Sequence, residues 1–337
     1  MSKMKNVKTG DKVIGERQPV FIVAEAGINH NRSLEQAKEL VKRAKESGAD
    51  AVKFQTFKAE SLCRQGSKVF ELFKSLELSR DEWARIAETA QSSGIIFFST
   101  PFDEESTELL DSLGVPAFKV ASGDLTFLPF LKYIARRGKP IVLSTGMSTL
   151  SEIDEALNTI YSEGNKNVVL LHCVSSYPAS IKDVNLKAIN TLEQVFKLPV
   201  GFSDHTVGAV ISIAAVSLGA KVIEKHFTLD KSLPGPDHKL SLDPDEFKEM
   251  VANIRIVEQA LGDGVKAPRE SEAEGIRAWR RSLTAKVYIP AGTTITQDML
   301  KTARPATGIE PKFINIVIGR TAKEHIQEDE ALTWDKV

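Results

Sequence analysis

The sequence predicts an α/β chain: a (β/α)8 TIM barrel followed by a small, mainly β domain. Three observations carry this expectation. Eight short apolar runs recur between residues 20 and 228, each followed by a helical pattern. The alternation fills about 260 residues, the usual extent of such a barrel. It stops at Gly262, where a charged, Gly/Pro-spaced stretch introduces a different pattern.

The runs are "VFIVAEAG" (20–27), "ADAVKFQT" (49–56), "GIIFFSTPF" (94–102), "PAFKVASGD" (116–124), "KPIVLSTGM" (139–147), "NVVLLHCVS" (167–175), "PVGFSDHT" (199–206) and "AKVIEKHFT" (220–228). Their continuous Val/Ile/Phe/Leu character suits parallel strands covered on both faces. The helices between them carry their own punctuation. Ser33, Ser79 and Asp243 stand as N-caps, Pro244 occupies a first helical position, and Gly48, Gly94 and Gly262 stand at the ends. A doubly wound sheet is the alternative, weakened because no G-x-G-x-x-G follows the first run.

The domain expectation is therefore a barrel over 1–262, a linker over 263–280 and a small domain over 281–337. In the last, "RRSLTAKVYIPAGTTITQDML" reads as strand, Pro-Ala-Gly turn, strand and a short helix capped by Thr296. So small a core is marginal alone and is expected to dock on a barrel.

With 42% hydrophobic and 26% charged residues, the 337-residue chain has the composition of a soluble globular protein. Its net charge of −1 provides no global basic field, which argues against nucleic acid or an anionic membrane as partner. The polar start, the absence of a long apolar run and only two cysteines, Cys63 and Cys173, point to a reduced, cytoplasmic protein with both thiols as bystanders.

In a TIM barrel the functional residues gather at the C-terminal strand ends. There the sequence has Glu25, Lys53, Gln55, Thr100, Lys119, Ser122, Asp124, Ser144, Ser175, Ser203, His205, Glu224 and His226. Period-two alternation puts Lys53 with Gln55, Ser203 with His205, and Glu224 with His226 on shared faces. His205 and His226 end adjacent strands seven and eight. Two neutral imidazoles do not make a closed structural zinc site, but suit an open one for Mn2+, Mg2+, Co2+ or Zn2+. The bland alternative is a pair of hydrogen-bonded histidines.

Lys53 and Lys119 end strands two and four. Unpaired, they would repel by roughly 4 kcal/mol at 4 Å and an effective dielectric near 20. Among serine hydroxyls they call for a small anion such as a phosphate or carboxylate; internal ion pairing is the alternative. Lys221 and Lys225 read as snorkelling or salt-bridged. His172 reads as a core residue, His325 as a surface one, and His30 and His238 stay ambiguous. The segment 58–78 is a candidate lid.

Taken together, "FIVAEAGINHN", "GADAVKFQTFKAE", "FFSTPFD", "FKVASGD", "LSTGM", "GFSDHT", "EKHFTLDKSLPGPDHKLSLDPDEF" and the terminal "RRSLTAKVYIPAGTTIT…ARP" resemble the sialic acid synthase family over nearly the whole chain. That family comprises N-acetylneuraminate, legionaminate and pseudaminate synthases. The terminal segment resembles its SAF (antifreeze-like) domain. The resemblance implies a cytoplasmic, PEP-dependent C–C bond-forming transferase that joins phosphoenolpyruvate to an N-acetylmannosamine-type aldehyde, cleaving the C–O bond of PEP.

By the same resemblance His205 and His226 hold a divalent metal, Mn2+ by preference. Lys53, Thr100, Lys119, Ser122, Ser144 and Ser203 match PEP-binding positions. Glu25 and Asp124 match acidic positions near the reacting sugar, with Glu224 the further catalytic carboxylate. Gln55, Ser175, Tyr177 and Asp237 match the sugar end. Arg304 matches an arginine that reaches the sugar in the partner's site, so a domain-swapped homodimer is implied. Ser175 in "HCVSSYP" stands where bacterial N-acetylneuraminate synthases have Asn, which leaves N-acetylneuraminate and legionaminate open. "AEAGINH" and "VASGD" look unlike the pseudaminate branch. A Schiff-base aldolase using Lys53 or Lys119, and a non-catalytic carbohydrate-binding protein, are the competing readings.

Overall fold

A computed structural model describes residues 5–67 and 69–337 of the chain. The chain divides into two compact units, Met1–Gly262 and Asp263–Val337. In the first, eight parallel strands close into a barrel: Phe21–Gly27, Ala51–Thr56, Ile96–Pro101, Phe118–Val120, Ile141–Ser144, Val168–Cys173, Val200–Asp204 and Val222–His226. These are the first to eighth barrel strands below, and each lies within one of the eight apolar runs. The eighth pairs with the first, so that His226 is opposite Glu25 and Glu25 is opposite Lys53.

The strands are buried on both faces because side chains fill the barrel inside and helices cover it outside. The helix punctuation is used as expected. Ser33 accepts from the Gln36 amide, and Ser79 forms a reciprocal capping box with Glu82. Asp243 does the same with Glu246, ahead of Pro244. Gly94 closes its helix in the left-handed region at φ +64°, which a side chain would disfavour.

Four local differences from the sequence reading have simple causes. The fourth run stops being a strand at Val120, and its Ser-Gly-Asp end turns into a 3-10 segment, Ser122–Asp124. A hairpin, Val7–Thr9 with Lys12–Ile14, was not anticipated because three-residue strands carry almost no periodicity. It lies against the start of the second strand, where Lys12 pairs with Asp50 at 3.2 Å. The stretch read as a linker contains helical turns at Glu270–Glu272 and Ala273–Trp279. The segment at Gln297–Met299 is 3-10, and Thr296 bonds Asp298 instead of capping it.

The candidate lid contains the helices Ala59–Leu62 and Phe70–Leu76, and Lys68 within it lies outside the described residues. An apolar cluster of Ile28, Phe57 and Leu76, joined by Phe73 and Phe102, holds it to the barrel end. The second unit has its own core around Leu283, Ile289, Ile295, Val317, Ile326 and Leu332. Its strands Ser282–Ala285 and Leu300–Ala303 pair antiparallel. Among the described residues, no helix is long and apolar enough to cross a membrane.

Candidate active site

At the C-terminal ends of the strands lies a cavity of about 360 Å³. It is lined by Glu25, Lys53, Gln55, Thr100, Lys119, Ser122, Ser144, Ser175, Tyr177, Ser203, His205, Glu224 and His226, so residues singled out from all eight strand ends converge. Asp237 stands beside it, its Oδ2 3.8 Å from His226 Nδ1. Asp124 does not line the cavity, but sits close enough to Lys119 for its carboxyl to feel that charge. Arg304 belongs to the second unit, where its Nε donates to the Trp279 carbonyl at 2.8 Å.

The two lysines are not unpaired, and the expectation of bare like charges is corrected. Lys53 Nζ lies 2.5 Å from Glu25 Oε2 and 3.7 Å from Glu224 Oε2, while Lys119 Nζ lies 3.4 Å from Glu224 Oε1. Register explains this: strand closure sets Glu25 between Lys53 and His226, and Ser203 opposite Glu224. Ser203 donates to Glu224 at 2.8 Å, and Lys53 donates to Thr100 at 3.1 Å.

The cluster splits its carboxylates. Burial pushes Glu25 up to about 7, although the Lys53 ammonium opposes this. Burial also acts on Glu224, but Lys119 and Lys53 outweigh it and hold that carboxyl below its ordinary range. Asp124 and Asp237 are each pushed up to about 6, chiefly by burial. Burial lowers Lys119, whereas two carboxylates overcome it at Lys53 and raise that group. The site thus holds ionised and protonatable carboxyls side by side at neutral pH.

The histidines meet with ring centroids 5.5 Å apart. His205 Nδ1 donates to the Val174 carbonyl at 2.7 Å, which leaves Nε2 with its lone pair free to bind. Among the described residues, His226 Nδ1 is buried with no hydrogen-bond partner. Burial depresses both groups, His226 further, so both imidazoles are neutral. Such a pair fits a divalent cation whose remaining positions are filled by water or substrate oxygens. Among the described residues, no group of three or more His, Cys, Asp and Glu is arranged for a metal.

The bystander reading of Cys173 is corrected. It ends the sixth strand, lines the cavity and sits 3.0 Å from Ser122 Oγ. A small thiol closing an apolar run gives no periodic signal of its own. Phe102 and Met147 also line the cavity and were not singled out. Among the described residues, Ser144 Oγ is buried there with no hydrogen-bond partner. The Gly146 amide donates to Ser122 Oγ at 3.0 Å, so backbone approaches the wall closely.

Elsewhere, His172 donates from Nε2 to the Val184 carbonyl at 2.7 Å, and His325 is exposed beside Tyr288, both as read. His238 is fully buried, bonded to Thr228 and Asn31, and His30 is buried against Phe54 and Trp83. Lys225 is salt-bridged, to Asp204.

A parallel barrel with lysines, hydroxyls and two imidazoles at its mouth is the architecture of a small-molecule site, and comparison with known proteins narrows the class. The NeuB family profile matches residues 40–266 and the SAF domain profile matches residues 280–337. The chain belongs to the NeuB, or sialic acid synthase, family and carries a C-terminal SAF domain. It is 45% identical to the N,N'-diacetyllegionaminic acid synthase of Legionella pneumophila, over 97% of each chain. It is 38% identical to the human N-acetylneuraminate-9-phosphate synthase, over 96% of this chain and 94% of that one. The crystal structure of an N-acetylneuraminic acid synthetase from Leptospira borgpetersenii in complex with citrate superposes with a TM-score of 0.78 at 36% identity. It covers 82% of this chain and 97% of that one.

Proposed function

We propose that this protein condenses phosphoenolpyruvate with the open-chain aldehyde of an N-acetylmannosamine-type sugar, releasing phosphate and a nine-carbon 2-keto acid. The observation that carries the reading is the content of one cavity: two neutral imidazoles, two lysines, a set of hydroxyls and the Glu25 carboxyl, pushed up to about 7 by burial. The similarity to synthases of legionaminic and sialic acids supports it.

In this reading Lys53 and Lys119, with Thr100, Ser122, Ser144 and Ser203, hold the phosphate and carboxylate of PEP by charge-assisted hydrogen bonds. Gln55, Ser175, Tyr177 and Asp237 hold the sugar. PEP C3 forms a bond to the aldehyde carbon, and water adds at C2. The C2–O bond of the tetrahedral adduct then breaks, phosphate leaves with that oxygen, and the proton of the C2 hydroxyl passes to the departing phosphate as the keto group forms. Glu25 and Asp124 exchange the protons: one leaves the attacking water and one reaches the new hydroxyl, as their raised pKa values allow. Glu224 keeps the lysines charged. A divalent cation on His205 and His226, Mn2+ by preference, would polarise the aldehyde oxygen.

The acceptor in this proposal leads to N-acetylneuraminate or legionaminate, and the higher identity to the Legionella enzyme favours the latter. A homodimer is part of the proposal, with Arg304 serving the partner's site. Support comes from exposed apolar side chains on segments that follow strands four to seven, among them Phe127, Met147, Tyr177, Ile181, Val207 and Val210.

The test is phosphate release from PEP with N-acetylmannosamine, its 6-phosphate or 2,4-diacetamido-2,4,6-trideoxymannose. Release with at least one acceptor, lost to EDTA and restored by Mn2+, is expected. Burial lowers Lys119 whereas carboxylates raise Lys53, so Lys119 gives up its proton more readily than Lys53. Borohydride trapping of a keto substrate on Lys119, without phosphate release, would therefore replace this reading with a Schiff-base aldolase.

A further inference from the structure

Behind the histidines lies a second pair of charges that the proposed chemistry does not use. Asp204 falls between Ser203 and His205, and Lys225 between Glu224 and His226, so alternation turns both away from the cavity. They face each other across strands seven and eight as Cα partners. Lys225 Nζ lies 3.0 Å from Asp204 Oδ2, and both side chains are fully buried.

Their other bonds converge on the residue that follows His205. Lys225 donates to the Thr206 carbonyl at 2.5 Å. Asp204 Oδ1 accepts from both the amide and the hydroxyl of Thr206 at 2.8 Å. Asp204 Oδ2 also accepts from Ser212 at 2.6 Å, at the helix that covers the seventh strand. The seventh strand ends at Asp204, so His205 lies just beyond the ladder. Its own bonds, from Nδ1 to the Val174 carbonyl and to its carbonyl from the Ala179 amide, fix it on one side, and what holds residues 204 and 206 fixes it on the other.

A buried ion pair is a poor source of stability, since apolar side chains of similar volume commonly serve as well. What apolar packing lacks is direction. The Lys225 ammonium ties the His226 strand to the far side of His205, and so couples the positions of the two rings. We propose that the Asp204–Lys225 pair is a positioning device that sets His205 and His226 at the spacing a shared divalent cation requires. The inference rests on the metal reading above.

The test is Mn2+ binding by the full chain, followed through the electron paramagnetic resonance of the free aqua ion, with thermal unfolding in parallel. The double variant Asp204→Asn/Lys225→Met removes both charges and keeps an oxygen for the Thr206 amide. It is expected to unfold cooperatively and to bind Mn2+ about 10- to 100-fold more weakly, as when outer partners of metal ligands are lost. Lys225→Arg, which keeps the charge, should retain the affinity. If the double variant does not fold, Lys225→Gln takes its place, with the same weakening expected. A folded variant that binds Mn2+ as tightly as wild type would overturn the proposal and leave the pair a structural one. Wild-type protein that takes up no Mn2+ would overturn the metal reading itself, and the proposal with it.

Discussion

Lys53 Nζ lies 2.5 Å from Glu25 Oε2, yet Glu25 is the carboxyl whose pKa rises. The two facts agree once Glu224 is included. Burial penalises the Glu25 anion, and the nearby Glu224 charge adds to that penalty. Glu224 draws on Lys119 as well as Lys53, and so keeps its own charge. Lys119 acts chiefly on Glu224 and only weakly on Glu25, so burial prevails at Glu25 and the cations prevail at Glu224.

This makes a prediction about stability. Glu25 moves from an ordinary value of 4.5 to about 7 on folding, so the folded state binds more protons between those values. Its contribution is unfavourable, absent below pH 4.5 and complete above pH 7, on the order of 3 kcal/mol. Glu25→Gln should flatten the decline of stability across that window, and stand relatively higher at pH 8 than at pH 5. Urea unfolding at the two pH values measures this; a pH dependence parallel to wild type would count against it.

The histidine pair makes a second. His226→Ala removes one of the two imidazoles proposed to hold the cation, whose ring centroids lie 5.5 Å apart. Bound Mn2+ and EDTA-sensitive turnover should both disappear, while the fold persists. Full, EDTA-sensitive activity in this variant would sink the metal assignment.

Gly146 supplies a third. A Cβ there would lie 2.8 Å from Ser122 Oγ and 2.9 Å from Cys173 Sγ, and closer still to Ser175 Oγ. Gly146→Ala should therefore displace cavity walls on both the proposed PEP side and the sugar side. We expect a stability loss of about 1–3 kcal/mol and higher KM values for both substrates. Unchanged kinetics would show that the wall can yield.

The proposed exchange of Arg304 between subunits gives a fourth. Mixed dimers of His205→Ala and Arg304→Ala chains should regain one working site in two, because one barrel keeps its histidine and receives an intact arginine. No recovery on mixing and refolding would mean that Arg304 serves its own barrel.

Much of this was legible without coordinates. Eight apolar runs with capped helices between them specify a barrel, because strand and helix periods and end signals are local properties of the chain. Alternation likewise put Ser203 with His205 and Glu224 with His226 on one face. The charge pairing was not legible. That Lys53 is shared by Glu25 and Glu224 depends on the eighth strand closing against the first, which pairs residues as far apart in sequence as Glu25 and His226. The same closure turned two apparently bare lysines into a neutralised cluster. It also decided for Lys225, read from the sequence as snorkelling or salt-bridged, that its partner is Asp204, in a common buried place behind the histidines. Local pattern determined which residues reach the mouth of the barrel. Only the tertiary structure decided which of them hold one another, because electrostatic partners are selected by distance in space and by burial, neither of which a run of residues encodes.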